Sequence, residues 1–586
     1  MNNEVKICQN CKYNFTIESE DFDFYKKIEV PPPTWCPECR TIRRMMWRNT
    51  RNLYKRPCDA EGHNDPIISV FSPEKDLVVY CPSCWWSQKH DPLVNGKPYD
   101  FSRPFFEQFT ALLRVTPLPS LSSMNSVDSD YVNMTVSSKS CYLVFSSSFN
   151  EHCSYSEGIN ECRDSMDLLA SRKSEHCYRS TDCTNCFNVL FSAKATNCSD
   201  SGFLYDCRNC SKCFGCWNLR NKQYCILNKQ YDKESYEKEL ARLDIGSYAR
   251  LSEFKKIFEE QSRGVIHRFA DIFHSENVSG NGIESSHNCH YSFDIVGNAD
   301  SKYVWRILDE GGTDNYDITV ATKPTLAYEG QGAGFGHGSK FSLSSGDTSY
   351  SHYTHSCISG CSYNFGCVGL TNKQYCILNK QYTKEEYEAL VPKIIAHMNE
   401  MPYIDAKGRV YPYGEYFPPE LSPLRYNETM AQEYYPLTKE EALSKGYTWR
   451  DPDVKTHTIT KRAEDLSDHI RDVDDSILAE AIGCAHGGKC MHQCTVAFRV
   501  IPSELQFYRK ANPARPDDIS GRSGGLPLPR LCPNCRHYER LAQRNPLKLW
   551  HRKCMKDGCV NEFETSYAPE RPEVVYCEQC YQKEVI

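Results

Sequence analysis

The sequence lacks a long apolar segment, and this absence limits where the protein can act. No stretch reaches about 18 consecutive apolar residues, so no transmembrane helix is predicted. Residues 1–11 contain no apolar run of the kind found in secretion signals, so we expect a cytoplasmic protein. The net charge is −7, which excludes a uniformly basic nucleic-acid-binding surface and leaves only local basic patches for that role.

Nucleotide-binding glycine motifs are also missing. Glycines alternate with other residues from Gly330 to Gly338, which differs from the spacing of a dinucleotide-binding fingerprint or a P-loop and predicts a turn or loop. A catalytic or metal-binding cluster is a weaker alternative for this region, formed by the following residues: His274, His287, His290, His337, His352, His355, Asp294, Asp309 and Glu310.

Cysteine, in contrast, is abundant. The chain has 33 cysteines, and in a reducing compartment such thiols indicate metal binding rather than disulfides, although disulfides remain an alternative. Four ligand sets are predicted, each suited to one structural Zn²⁺ ion. They are Cys8, Cys11, Cys36 and Cys39; Cys58, His63, Cys81 and Cys84; Cys490, Cys494, Cys532 and Cys535; and Cys554, Cys559, Cys577 and Cys580.

The two ends of the chain are copies. The second and fourth sets share intervals of 5, 18 and 3 residues, and each lies 22 residues after a C-P-x-C-R knuckle. The third set has an alternative, because Cys484, His486 and His492 lie close by and Cys484 can replace one of its members.

Each end predicts a compact metal-dependent module. Strands 67–71 and 77–80, and their copies 563–567 and 573–576, flank short turns and predict hairpins. Knuckle, hairpin and knuckle followed by a helix resemble the treble-clef and zinc-ribbon families over residues 1–95 and 484–586. Modules of this size fold together with their metal.

A basic stripe follows each knuckle and predicts a phosphate-binding helix face. Trp47, Tyr54, Tyr538 and Trp550 are interleaved and could stack on bases. A solvated helix face and a protein-binding face are the alternatives. The candidate nucleic-acid-binding residues are Arg40, Arg43, Arg44, Arg48, Arg51, Arg536, Arg540, Arg544, Lys548 and Arg552.

The middle of the chain predicts a solenoid. Cysteines recur at 21 residues, as in Cys141, Cys162 and Cys183, among Ser, Asn and Asp residues, which favours a parallel β-helix with cysteine in its core. Metal binding by Cys207, Cys210, Cys213 and Cys216 is the alternative. Residues 221–231 and 372–382 are the same string, NKQYCILNKQY, and each is expected to close one solenoid segment before a helix.

The predicted fold is therefore multidomain and mainly β, with a central cysteine-rich parallel β-helix solenoid flanked by paired treble-clef or zinc-ribbon modules at both termini. Thr383/Glu386 and Thr438/Glu441 predict helix-capping boxes, and 465–482 predicts a helix. The predicted segments are 1–57, 58–100, 101–120 (linker), 121–231, 232–272 (helical), 273–382, 383–402 (helix), 403–483 (extended), 484–553 and 554–586.

Cys36-Pro37-Glu38-Cys39-Arg40, the two NKQYCILNKQY strings and the run 575–581, VYCEQCY, carry a wider resemblance. With these motifs the chain resembles multi-zinc-ribbon proteins of small-genome candidate-phylum bacteria. That resemblance implies architecture and no activity or substrate. Relative to it, residues 511–525 form an insertion in the third metal loop.

These features favour a non-enzymatic, zinc-stabilised protein that binds RNA, including the RNA of the ribosome, or another nucleic acid. The alternatives are a protein-assembly scaffold and a glycan-binding or carbohydrate-active protein that uses the solenoid groove.

Overall fold

The structure is a computed structural model. It describes residues 2–87, 90–308, 311–334, 336–451, 458–511 and 525–585. Most of the predicted insertion 511–525, together with Asp309, Glu310 and Phe335, lies outside this part of the chain.

The described residues are mainly β, as predicted, and include twelve α-helices. The helices are α1 Ser19–Lys27, α2 Pro37–Met45, α3 Pro82–Trp86, α4 Phe105–Val115, α5 Lys233–Leu243, α6 Tyr248–Ser262, α7 Lys384–Glu400, α8 Met430–Tyr434, α9 Lys439–Ser444, α10 Pro502–Lys510, α11 Pro533–Leu541 and α12 Glu578–Val585. The 3-10 helices are Pro92–Asn95, Pro419–Leu421, Tyr426–Glu428, Ala463–Asp465, Ile470–Asp472 and Asp475–Ala479.

Most strands are short. They are β1 Glu4–Ile7, β2 Asn14–Ile17, β3 Tyr54–Pro57, β4 Pro66–Ser69, β5 Val79–Tyr80, β6 Leu118–Pro119, β7 Ser123–Met124, β8 Asn133–Val136, β9 Phe145–Ser148, β10 Phe187–Leu190, β11 Ser199–Tyr205, β12 Ser211–Trp217, β13 Gln223–Ile226, β14 Lys229–Gln230, β15 Ile266–Arg268, β16 Ile272–Phe273, β17 Glu276–Glu284, β18 His287–Val296, β19 Ala299–Lys302, β20 Trp305–Ile307, β21 Tyr316–Thr322, β22 Tyr328–Gly334, β23 Lys340–Leu343, β24 Thr348–Ser349, β25 His352–His355, β26 Cys361–Phe365, β27 Gln374–Ile377, β28 Lys380–Gln381, β29 Tyr403–Ile404, β30 Val410–Tyr411, β31 Ile482–Gly483, β32 Ala497–Phe498, β33 Trp550–Lys553, β34 Glu562–Thr565 and β35 Val574–Tyr576.

Residues 123–230, here called the first stack, pair in parallel with residues twelve positions further on. Val127 pairs with Lys139, and Lys139 pairs with Glu151. The backbone turns left-handed at every third residue, as at Ser137 (φ 51°) and Ser140 (φ 50°). The predicted 21-residue period is therefore wrong: the unit is three residues and the register is twelve. Twenty-one is a multiple of three, and this is why cysteines at the repeated positions are spaced 21 residues apart.

Every third side chain of the first stack points inward, and small residues fill this narrow core. Cys162 Sγ lies 3.6 Å from Asn160 O and 3.5 Å from Ser171 O, two residues before it and nine after it. Ser147 occupies an equivalent position, and its hydroxyl accepts the amide N–H of Ile159 at 3.1 Å. Cysteine and serine thus play the same packing role here.

Residues 272–381, the second stack, repeat this arrangement less regularly. Tyr316 pairs with Tyr328 at the twelve-residue register, whereas Lys302 pairs with Tyr316, fourteen residues on. Strands β18, β19, β21 and β20 pair in a closed parallel ring of four. In both stacks the NKQYCILNKQY string ends the parallel pairing with an antiparallel reversal, β13–β14 or β27–β28, before α5 or α7.

Local predictions succeed at helix caps and fail at two other places. Thr383 and Thr438 form the predicted capping boxes of α7 and α9. The predicted helix 465–482 is wrong, because this segment holds separate 3-10 turns. The predicted hairpins are also wrong. Strand β4 pairs with β3 and β34 with β33, whereas β5 and β35 pair with β6 and β15.

The N-terminal end of the chain packs on the second stack, and the C-terminal end packs on the first. Helix α2, from the N-terminal modules (residues 1–100), lies against β21 and β22 of the second stack. The C-terminal modules (residues 484–586) lie against the first stack, where Arg536 and Arg540 reach Asp167. No helix among the described residues is long and apolar enough to span a membrane.

Candidate metal centres and the inter-stack cleft

Several groups of side chains have the geometry of metal sites, and four cysteine and histidine groups among them correspond to the predicted sets. Within each group the candidate ligand atoms all lie within 4.8 Å of one another. The groups are Cys8, Cys11, Cys36 and Cys39; Cys58, His63, Cys81 and Cys84; Cys484, Cys494, Cys532 and Cys535; and Cys554, Cys559, Cys577 and Cys580. Thiolate and imidazole donors of this kind suit a soft or borderline divalent ion.

One hydrogen bond recurs in all four groups. In the first, the amide N–H of Cys36 donates to Cys8 Sγ at 3.2 Å. The other three have the same bond at 3.3 Å, from Cys81 to Cys58, from Cys532 to Cys484 and from Cys577 to Cys554. An amide N–H donor stabilises negative charge on sulfur, so the same backbone contact would favour metal binding in all four groups.

This bond indicates which cysteines make up the third group. Cys484 accepts from Cys532 as Cys8 accepts from Cys36, so Cys484 is the counterpart of Cys8 and takes the place that we predicted for Cys490. Cys490 is still close, with its Sγ 3.7 Å from Cys535 Sγ. Spacing alone could not separate these two cysteines, because both lie within reach of the knuckle.

Cys81 of the second group and its counterpart Cys577 of the fourth have similarly lowered pKa values. Burial raises the pKa of Cys81, but hydrogen bonds from Ser83 and from the amide of Cys84 outweigh it, and the pKa falls to about 7. The pKa of Cys577 also falls to about 7, because hydrogen bonds from Asn561 and the amide of Cys580 outweigh burial.

His63 is oriented for ligation through Nδ1. Its Nδ1 lies 3.0 Å from Cys84 Sγ, and its Nε2 lies 3.1 Å from Asp65 Oδ2. A carboxylate that holds the other ring nitrogen fixes the tautomer, as is typical of metal-binding histidines.

Most residues of the predicted phosphate-binding stripes are buried or partly buried inside the protein. Arg40 and Arg44 both contact Asp317, at 2.9 and 3.0 Å, and the Asp317 side chain is 0% exposed. The C-terminal copy repeats this clasp, since Arg536 and Arg540 contact buried Asp167 at 2.9 and 2.7 Å. We call these two ion-pair sets the arginine clasps. Each uses arginines four residues apart, which share one face of a helix.

Other members of the stripes also have partners within the chain. Arg43 contacts Glu329 and Glu415 at 2.7 and 2.6 Å, and Arg51 contacts Glu157 at 3.1 Å. Arg544 reaches Asp182 and Asp294, at 3.0 and 2.7 Å. Lys548 is half exposed and contacts Glu38 at 3.0 Å, and Arg552 donates to Ala568 O at 3.2 Å. The placement predicted for this interface is therefore corrected, because acidic residues distant in sequence neutralise most of it.

Trp47, Tyr54 and Tyr538, which are interleaved with the stripes, also contact other residues of the chain. Trp47 packs against Phe417, and Tyr54 donates to Glu428 Oε1 at 2.8 Å. Tyr538 stacks on His492 with the ring planes 4° apart.

The clasping Asp residues were missed in the sequence, although a signal for them existed. Asp167 and Asp317 have φ angles of 54° and 58°, and both occupy left-handed positions of the stacks. Asn and Asp tolerate this conformation better than most residues. Left-handed positions recur at every third residue of the stacks, and many are Asn, Asp or Gly. An Asp at such a position is therefore a candidate partner for a buried arginine.

A buried charge cluster joins the two stacks near α8 and α11. Glu433 Oε2 lies 3.2 Å from His537 Nε2. Burial, reinforced by the Glu157 carboxylate, raises the pKa of Glu433 to about 8. Burial and the nearby cations Arg51 and Arg540 hold the pKa of His537 well below its usual value. A protonated Glu433 thus donates to a neutral imidazole at pH 7.

This arrangement predicts a pH dependence of stability. The folded protein keeps a proton on Glu433 that the unfolded chain, with an ordinary pKa of about 4.5, releases. The stability due to this proton is complete below about pH 4.5 and is lost as the pH rises towards 8. We expect the wild type to lose free energy of unfolding relative to Glu433→Gln between pH 5 and 8. A wild-type-minus-variant difference that stays constant in urea melts would contradict this.

A cleft of about 490 Å³ lies between the two stacks. Arg48 and Arg306 line it, and both residues are only 4% exposed. Glycines make room for the two guanidiniums, since a Cβ at Gly158 would lie 2.7 Å from Arg306 Nη2 and one at Gly332 would lie 2.9 Å from Arg48 Nη1. Each stack therefore contributes to the cleft one glycine with a left-handed backbone conformation.

The predicted histidine cluster does not converge as a whole. His290 and His352 are separated by five register steps of the second stack, or about 24 Å at the usual strand spacing. His352 is partly buried and His355 is buried in β25, where desolvation lowers their pKa values to about 3 and about 4.

Comparison with known proteins does not assign the chain to a family. No protein-family model matches the chain, and a comparison with curated proteins found no match. The resemblance to multi-zinc-ribbon proteins therefore stays a prediction.

Proposed function

We propose that the protein is a zinc-stabilised scaffold that binds single-stranded nucleic acid in the cleft between two parallel β-helices, the first and second stacks. Structural zinc fills each of the four ligand groups. Four protein donors per group leave no open coordination position, as in zinc sites that stabilise a fold. The zinc fixes α2 and α11, and the arginine clasps join each end of the chain to the stack on which it packs.

The observation that carries nucleic-acid binding is the pair of guanidiniums in the cleft. The Nη1 and Nη2 atoms of Arg306 are buried and make no hydrogen bond within the described residues, although Glu157 Oε1 lies 3.5 Å from Nη1. Arg48 donates to Ser146 at 3.0 Å. Buried donors without acceptors are costly, and an anionic oxygen would satisfy those of Arg306, while Arg48, which also donates to Thr50 at 3.4 Å, adds positive charge.

The charge balance near the cleft favours an anion. Three cations, Arg48, Arg51 and Arg306, lie near Glu157, and Glu433 carries a proton at neutral pH because its pKa is about 8. Glu157 is the carboxylate nearest to these guanidiniums, and Asp294, which also acts on Arg306, pairs with Arg544; a phosphate would offset the remaining positive charge.

The rim of the cleft adds a surface for bases. Phe149 is 59% exposed and lines the cleft together with Met124 and Lys323. Aromatic stacking with a nearby cation is the usual way that single strands are held without sequence readout.

Fluorescence anisotropy with a labelled single-stranded RNA across a salt titration tests this proposal. Phe149→Ala should weaken binding roughly 5- to 100-fold, since stacking contributes about 1–3 kcal/mol per base. Lys323→Ala should lower the salt slope by about 1. Lys256→Ala, which removes an exposed cation on α6, is the matched control and should change neither.

The same titration distinguishes the alternatives. If Lys548→Ala weakens binding and Phe149→Ala does not, the exposed end of the C-terminal stripe is the interface instead of the cleft. If no nucleic acid binds at low salt, this proposal is wrong and a protein-assembly scaffold becomes the better reading.

A further inference from the structure

The metal loop of the third group carries more ligand residues than its N-terminal counterpart. Cys8 and Cys11 are separated by Gln9 and Asn10, whereas nine residues separate Cys484 from Cys494. Three of these nine are His486, Cys490 and His492. The added segment is thus rich in soft and borderline donors, as expected of residues that bind metal.

These three residues converge on a cysteine that already belongs to the third group. The ligand atoms of His486, Cys490, His492 and Cys535 all lie within 4.8 Å of one another. Cys535 Sγ is 3.7 Å from Cys490 Sγ on one side and 3.8 Å from Cys484 Sγ on the other. A single sulfur therefore belongs to two sets of four donors.

The two histidines have nitrogen atoms available for a ligand. Nδ1 of His486 and Nδ1 of His492 are buried and make no hydrogen bond within the described residues. Stacking on Tyr538 at 5.2 Å holds the His492 ring, and the His486 ring packs against it at 5.4 Å. Buried polar atoms without partners call for an explanation, and a metal ion supplies one.

We infer that the third group is a binuclear zinc cluster, in which a second ion is bound by His486, Cys490, His492 and a bridging Cys535 thiolate. This inference rests on the proposed zinc at Cys484, Cys494, Cys532 and Cys535. Binding of the second ion releases the thiol proton of Cys490, and both ions then have four protein donors. A site with four thiolates and one divalent ion has a net negative charge, and the second divalent ion offsets it.

Metal analysis of the full-length protein by elemental mass spectrometry and native mass spectrometry tests the inference. The wild type should hold about five zinc ions, one for each of the four groups and one for the second donor set. His486→Ala/His492→Ala and Cys490→Ser should each hold one fewer, and His176→Ala, which removes a half-exposed histidine of the first stack, should hold the wild-type number. Circular dichroism confirms that each variant is folded.

Cobalt substitution provides a readout that does not depend on counting alone. Two Co²⁺ ions that share a thiolate couple magnetically, so the wild type should show less paramagnetic resonance signal per cobalt than His486→Ala/His492→Ala. About four zinc ions in the wild type and an unchanged signal in the variant would overturn the binuclear cluster while leaving the four structural sites intact. Little or no bound metal would overturn the zinc proposal itself.

Discussion

Removal of zinc is expected to unfold both ends of the chain. Apparent binding free energies of about 10–16 kcal/mol are typical of structural zinc, which equals or exceeds the total stability of an ordinary domain. The strands of the modules are short, and the buried apolar residues near the first and third groups belong to clusters shared with the stacks, so a module has little core of its own to compensate for the loss. Chelation under reducing conditions should therefore melt the modules and release α2 and α11 from the stacks.

Tryptophan fluorescence reports this loss directly. Trp35 is 0% exposed and Trp47 is 5% exposed, and both lie within two or three residues of α2. Their emission should shift to longer wavelength when the metal is removed and should return when zinc is added back. Emission that is unchanged after complete chelation would show that the modules fold without metal.

Two cysteine-to-serine substitutions separate metal ligation from packing. Cys36→Ser should lose one zinc ion and much of the stability of the first module. Cys141→Ser should keep all of the zinc and most of the stability, because it lies in the core of the first stack, where serine occupies equivalent positions such as Ser147. Equal effects of the two substitutions would contradict the assignment of Cys36 as a ligand.

The outcome of the sequence predictions depends on how far apart the interacting residues lie. The clustered cysteine and histidine residues occur in short spacings that two copies of the chain repeat, so three of the four groups could be assembled from the sequence. In the third set, Cys484 and Cys490 both lie within reach, and an amide hydrogen bond to sulfur decides between them. That bond depends on backbone geometry, which spacing does not encode.

The arginine stripes show the opposite case. Their spacing correctly indicates one helix face but not what covers it. Arg44 and Asp317 are 273 residues apart, and nothing local connects them. The stack register was missed for a related reason. Cysteine occupies only some of the inward positions, so its spacing shows multiples of three residues, while the twelve-residue register appears only when backbones pair.

Breaking one arginine clasp is expected to be the most damaging change among the ion pairs. Asp317→Asn removes the charge that pairs with Arg40 and Arg44, and it leaves two buried guanidiniums less compensated. Loss of one partner from a buried pair typically costs about 3–5 kcal/mol. Asparagine tolerates the left-handed backbone at this position, so the cost arises from charge rather than from strain.

Asp314→Asn is the matched control for this test. Asp314 lies three residues earlier, also has a positive φ, and pairs with half-exposed Lys27 at 2.8 Å. Because an exposed pair contributes only about 0–1 kcal/mol, Asp314→Asn should be nearly neutral in urea unfolding. Asp167→Asn should reproduce the large loss at the other clasp, since Arg536 and Arg540 depend on it in the same way. If Asp317→Asn and Asp314→Asn had equal effects, the clasps would not be what attaches the metal modules to the stacks, and the scaffold would depend on apolar packing alone.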